Sequence, residues 1–238
     1  MVRFKADSLI SLSFGLISIS FVLLGDSAAV YSLTREDGLI ENLTVIFYMV
    51  ALIFSFISIF RKKPVLLAIV WAILCFIFLG EETSWFQRVF DFSVLPIEQV
   101  NAQNEFNLHN LNVLEGGSLM DGSIGLSTFL KSQNLFRIGF FSYFLILPLL
   151  LYISNFKKLM LKIGYKKPDN GFIIVLFLVF VLSFFLVLFS PVFLKSALAE
   201  TREMLYAFFI MVYIIAYIWP NKKIQHSSTS AADTNRQQ

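Results

Sequence analysis

Apolar residues run almost unbroken through six stretches of this chain, at about 8–25, 39–60, 64–80, 136–154, 171–194 and 203–219, and the sequence turns polar between them. Each stretch approaches the roughly 20 apolar residues that a helix needs to cross a ~30 Å hydrocarbon layer. Only helices and closed barrels satisfy their backbone polar groups inside lipid. The pattern therefore predicts an all-α, polytopic membrane bundle of about six transmembrane helices in a single domain over 1–220. The third stretch is the shortest, from Pro64 to Gly80, which sets Glu81 and Glu82 at the membrane interface. Most connections are short, and the one larger segment outside the membrane is 81–135. Residues 221–238 are polar and rich in Ser and Thr, and predict a disordered cytoplasmic tail. The first stretch has a second reading: a basic start, an apolar run from Leu9 to Leu24 and then Ser27-Ala28-Ala29 also suit a cleaved signal peptide, which would leave five spans.

Charge gives the bundle a direction. The N-terminus, the 61–63 loop, the 155–170 loop and the tail hold thirteen of the nineteen basic residues and only Asp7, Asp169 and Asp233 among the acids. The opposite face, 26–42, 81–135 and 195–203 with Arg137 just beyond the second of these, holds the other thirteen acids against six basic residues. Cytoplasmic loops carry the excess of Lys and Arg, so both termini of this multi-pass chain are expected inside (N-in/C-in), with 81–135 on the outer face. Composition agrees: 57% of residues are hydrophobic and 15% charged, against about 25% charged in soluble domains. The lone Cys75 excludes an intramolecular disulfide and a cysteine-based zinc site. The lysine run 157–167 is expected to set topology and meet anionic lipid; no nucleic-acid partner is expected.

The chemistry-bearing residues gather on the acidic face. Glu36 and Asp37 follow Thr34 in a capping-box pattern at the start of the second span, whereas Glu41 lies inside the apolar stretch and shares a helix face with Tyr48. Glu81 and Glu82 close the third span; a continuing helix would align Glu81, Ser84 and Arg88 on one stripe and pair Glu81 with Arg88. Trp85 reads as an ordinary interfacial aromatic. Asn101, Gln103, Glu105, Asn107, His109 and Asn110 crowd one short segment, as a hydrogen-bonded lid, an amphipathic interfacial helix or a polar ligand surface. Glu200 and Glu203 open the sixth span, as first-turn acids or as part of a site with Tyr206 on their face.

Carboxylates with a single histidine suit a hard divalent metal ion, for which Glu81, Glu105, His109 and Glu200 are the candidate ligands. Equally, two carboxyls can work without metal as acid and base, the candidate catalytic groups being Glu41, Glu81, Glu82, His109 and Glu203. Gln87, Arg88, Asn101, Gln103, Asn107 and Asn110 are the candidate substrate-binding residues. No GxSxG, SxxK, HExxH, phosphate-loop or dinucleotide motif occurs.

Gly80-Glu81-Glu82-x-Ser84-Trp85-x-Gln87-Arg88 followed by Asn101-x-Gln103-x-Glu105-x-Asn107-x-His109-Asn110 resembles two signatures of a group of uncharacterised multi-pass bacterial inner-membrane proteins. In that group an Asp-Gly-x-x-Glu segment precedes the second span, as Asp37-Gly38-Leu39-Ile40-Glu41 does here. A fainter echo is of alkaline-ceramidase-like membrane hydrolases, which gather polar residues around a metal at helix mouths through several histidines, where this chain supplies one. Three readings follow: an enzyme acting on a lipid or lipid-linked substrate, a non-catalytic protein whose polar cluster binds a ligand, ion or partner subunit, and a transporter. The last fits least, because the acids cluster at one face.

Overall fold

The computed structural model describes residues 5–35, 38–61, 65–101, 106–107 and 132–219. All regular structure among them is helical: α1 (Ala6–Leu24), α2 (Ser27–Thr34), α3 (Leu39–Phe60), α4 (Val65–Glu82), α5 (Gln87–Phe90), α6 (Leu95–Glu98), α7 (Ser132–Phe141), α8 (Ser154–Ile163), α9 (Asn170–Phe189) and α10 (Val192–Tyr213). α7 continues through a π-helical turn, Ser142–Ile146, into a last α-helical turn, Leu147–Leu150, and α10 continues through a π-helical turn, Ile214–Ile218. Among the described residues six helices are long and apolar enough to cross a membrane.

The axis of the bundle is α10. An apolar helix surrounded by others is buried on every side, and Met204 through Ile210 are buried without interruption. α3 and α4 form a tight antiparallel pair, and α3, α1 and α9 all lean on α10. Small residues let helices approach in lipid: Gly15 of α1 sits where an added Cβ would stand 3.0 Å from the Val179 side chain of α9. Phe14 stacks on Phe208 of α10 at 4.1 Å between ring centroids.

The basic end is tied by polar contacts. Tyr217 donates to the Asp7 carboxylate, Asp169 donates its backbone N–H to Tyr217, and Lys5 pairs with Asp169 at 2.6 Å. The π-helical turn in α7 redirects Leu147 N–H to the Ser142 carbonyl. The Tyr143 carbonyl then faces Pro148, which has no N–H to give; the Tyr165 hydroxyl donates to it instead at 3.2 Å. Trp71 donates to the Tyr143 hydroxyl, and Tyr213 donates to the Lys166 carbonyl, so the short Tyr143–Tyr213 contact has Tyr143 as donor.

Several boundaries differ from the sequence reading. The sixth span starts at Val192, behind Pro191, and not at 203, so Glu200 and Glu203 lie in its third and fourth turns and cap nothing. The run Ala199-Glu200-Thr201-Arg202-Glu203 reads as a break because hydropathy falls there, but a helix tolerates such a run when its polar face meets other polar groups. Thr34 ends α2, its hydroxyl on the Val30 carbonyl, while α3 starts after Gly38 without a side-chain cap, so the Thr34 capping box does not form. Glu36 and Asp37 lie outside the described residues. Two helices read as loop are also present: α2, capped by Asp26 through the Ala28 and Ala29 N–H groups, and α8 within the lysine run.

Candidate functional site

Acids at the C-terminal end of a helix oppose its dipole, yet α4 ends in Glu81 and Glu82. Helix energetics disfavours both, so their placement calls for another cause. Immediately beyond, the chain turns back: Ser84, Trp85 and Phe86 take φ of 47°, 52° and 64° in succession. Left-handed backbone in a residue with a Cβ costs of order 1–3 kcal/mol, and three in a row persist only where the surroundings dictate them. Here the Trp85 ring lies flat against Gly80, where a Cβ would meet it at 2.9 Å, and its Nε1–H donates to Glu81 Oε1 at 2.8 Å. The straight stripe of Glu81, Ser84 and Arg88 is therefore not formed, because the helix stops at Glu82. Trp85 is more than an interfacial aromatic, since it fixes the Glu81 carboxylate.

The elbow is held from the far side by signature residues. Buried Ser84 accepts from Asn107 Nδ2 at 3.2 Å, and buried Asn101 donates to Asn107 Oδ1 at 2.8 Å and to its carbonyl at 2.9 Å. Gln87 accepts from the Phe106 N–H and donates to Glu98 Oε1 at 2.7 Å. Glu98 also accepts from the Ser93 hydroxyl and the Val94 N–H. The Ser93 hydroxyl above all, then the Val94 N–H and the Gln87 amide, hold the Glu98 carboxyl below the usual carboxylate range. Gln87, Asn101 and Asn107, expected to bind substrate, are thus each engaged with other parts of this segment. Arg88 lies on α5, its side chain outside the described residues, as are Gln103, Glu105, His109 and Asn110.

On the other side of Glu81 and Glu82 is a cavity of about 260 Å³. Glu81, Glu82 and Phe78 of α4, Glu203 and Tyr206 of α10, and Arg137 and Gln133 of α7 line it, with Tyr48 of α3 at its base. Its walls are aromatic: Phe78 meets Phe136 edge-on at 5.0 Å, and Phe136 meets Tyr206 at 5.2 Å. Ile77 is part of the wall and also 38% exposed on the outer face of α4, so the cavity reaches the lipid-facing surface of the bundle. Arg137 is steadied by Gln133 and Asn134 of its own helix.

Charge converges here more widely than the lining. Glu82 lies within electrostatic reach of Glu203, Glu200, Glu41 and Glu81. Arg202 and Arg137 act on each other and on Tyr206, and Arg202 keeps a buried Nε–H with no hydrogen-bond partner among the described residues. Of the expected catalytic groups, Glu81, Glu82 and Glu203 meet in one cavity, Glu41 is near enough for its charge to matter, and His109 lies outside the described residues. Among the described residues no group of three or more His, Cys, Asp or Glu side chains stands at metal-binding spacing. Of the expected metal ligands, Glu81 and Glu200 stand on different helices, and Glu105 and His109 are outside the described residues.

Sequence reading missed Arg137 and Gln133 as site residues. Their signal was present: one cation and one carboxamide four residues apart at the entry of the fourth span, on the acidic face. No family model, curated protein or solved structure matches the chain.

Proposed function

We propose that this is a multi-pass protein of a bacterial inner membrane that draws a lipid or lipid-linked amphiphile into the cavity at its periplasmic end and performs acid/base chemistry on the headgroup. The basic end then faces the cytoplasm with both termini, as the distribution of Lys and Arg requires. One observation carries the reading: Glu81, Glu82, Glu203 and Arg137, from three helices and far apart in sequence, share one cavity with apolar walls. Its 260 Å³ falls just under the roughly 300–1,000 Å³ of ordinary small-molecule pockets, the size of a headgroup with the first part of a chain.

The roles follow from the chemistry. Arg137 neutralises an anionic group such as a phosphate, as guanidinium does best. Two of the three carboxyls act as proton donor and proton acceptor, Glu82 and Glu203 being the pair that faces across the cavity from different helices, while Trp85 holds Glu81 as the positioning group. Phe78, Phe136 and Ile77 receive the acyl portion.

The test is to incubate the purified full-length protein in nanodiscs made from total bacterial lipid and to follow every lipid class by mass spectrometry, beside Glu82→Gln and Glu203→Gln. A class converted by wild type and spared by both variants supports the proposal. A lipid held tightly but unchanged transfers the reading to a binding protein, and neither conversion nor retention overturns both.

A further inference from the structure

The opposite end of the bundle carries a second cavity with the reverse charge. After α7 ends at Leu150, a turn over Leu151–Ile153 leads into α8, and a cavity of about 300 Å³ lies between that turn, α8 and the irregular segment before α9. Lys157 and Lys167 line it with Tyr152 and Tyr165, over a floor that includes Leu151 and Met160.

Three observations define its occupant. First, α8 buries none of its residues fully, and Leu159 and Leu161 are 51% and 63% exposed, so much of its apolar side is left uncovered by the protein. A short helix of lysines and apolar residues whose apolar side is largely uncovered suits the plane of a membrane interface. Second, no acidic residue occurs between Asp121 and Asp169, whereas Lys157, Lys158, Lys162, Lys166 and Lys167 do, so nothing in this stretch neutralises them. Third, of the two lysines that line the cavity one is fixed in place and the other is left to bind. Lys167 is oriented by Asn170 Oδ1 at 2.9 Å and lies 6.0 Å from the centre of the Tyr152 ring, and Lys157 has no partner for its ammonium among the described residues. The Tyr165 hydroxyl is spent on the Tyr143 carbonyl, so its ring serves as wall, whereas Tyr152 is 81% exposed and its hydroxyl has no partner among the described residues.

We propose that this cavity is a binding site for the phosphate headgroup of an anionic phospholipid, with Lys157 and Lys167 on the phosphate, Tyr152 on a phosphate or glycerol oxygen, and the acyl chains along the exposed apolar side of α8. Basic pockets between helices and an interfacial segment take such headgroups, and the apolar floor and apolar helix face favour a lipid over a free anion. The site is independent of the acidic cavity at the other end.

The experiment uses the full-length protein, delipidated in detergent and supplied with phosphatidylglycerol or phosphatidylcholine, with bound lipid counted by native mass spectrometry. Wild type is expected to retain phosphatidylglycerol over phosphatidylcholine. Lys157→Gln with Lys167→Gln is expected to weaken retention about tenfold or more, at about 1 kcal/mol for each lysine near the surface. Lys158→Gln with Lys162→Gln removes the same charge beside the cavity and is expected to leave retention within about twofold, and arginine at 157 and 167 is expected to preserve it. Equal losses in the two glutamine pairs would reduce the site to general surface attraction and overturn it. So would equal retention of the two lipids by wild type, a comparison that needs no variant, or displacement of the lipid by millimolar inorganic phosphate.

Discussion

Gly80 and Trp85 illustrate how one residue without a side chain can aim a carboxylate. The indole occupies the space that a Cβ at 80 would need, and from there its N–H reaches Glu81. Gly80→Ala is expected to push the ring aside, break that hydrogen bond and destabilise the protein by about 1.5–3 kcal/mol, the range for a hydrogen bond to a charged group. Gly139→Ala is the control, since nothing lies within 4 Å of its added Cβ and helical glycine is the weaker choice. That substitution should be neutral or stabilising by roughly 0.5–1 kcal/mol. Melting temperatures of the two variants in one detergent decide the matter: a Gly80→Ala protein as stable as Gly139→Ala would mean that Trp85 does not depend on this seat. None of this was legible in sequence. Gly-Glu-Glu-x-Ser-Trp reads as a helix running on, because nothing in Ser, Trp or Phe announces three left-handed residues in succession.

At the scale of elements, the 84–107 segment is organised around Glu98, a half-buried carboxylate with three donors on it. Its carboxyl ionises more readily in the fold than in the open chain. The stabilisation it provides is therefore complete above the ordinary carboxylate value, and it fades as pH falls through the lower value it has in the fold. The melting temperature of the wild type should drop on the acid side of roughly pH 4 more steeply than that of Glu98→Gln. Identical acid limbs would show that Glu98 organises nothing. The elements themselves divide by how strongly hydropathy marks them. α3, α4 and α9 came out within two residues at their starts, since long apolar runs leave no alternative. α10 was cut eleven residues short, because two glutamates and an arginine in five residues look like the edge of a membrane. They lie instead inside a helix whose polar side faces Glu82 and Arg137. α8 was lost in its lysines, which mark an interfacial helix as readily as a loop.

For the molecule as a whole, the two ends are built on opposite terms. The basic end is closed by contacts that satisfy one another: Lys5 on Asp169, Asp7 on Tyr217, Tyr213 on the Lys166 carbonyl. At the acidic end several carboxyls are gathered near Arg137 and Arg202, with Glu82 within electrostatic reach of four others and accepting no hydrogen bond among the described residues. The sequence places these acids on one face, but only the fold sets Glu82 and Glu203 on one cavity, since the two residues lie 121 positions apart and the last helix is longer than it reads. Such an arrangement costs stability, and proteins keep costs of that kind where function needs them. Glu82→Gln should therefore raise stability, by about 1–2 kcal/mol from relief of repulsion in a poorly hydrated site, while abolishing whatever the cavity does. Glu203→Gln made in the Glu82→Gln background should add less than it does alone, because the two share one repulsion. Thermal unfolding of the four proteins of that cycle, read beside lipid conversion in the same samples, separates the two accounts of the cluster. If Glu82 were there to hold the bundle together, its amide variant would melt lower and lose function only in step with its fold; a protein that melts higher and no longer works has lost a site and kept its structure.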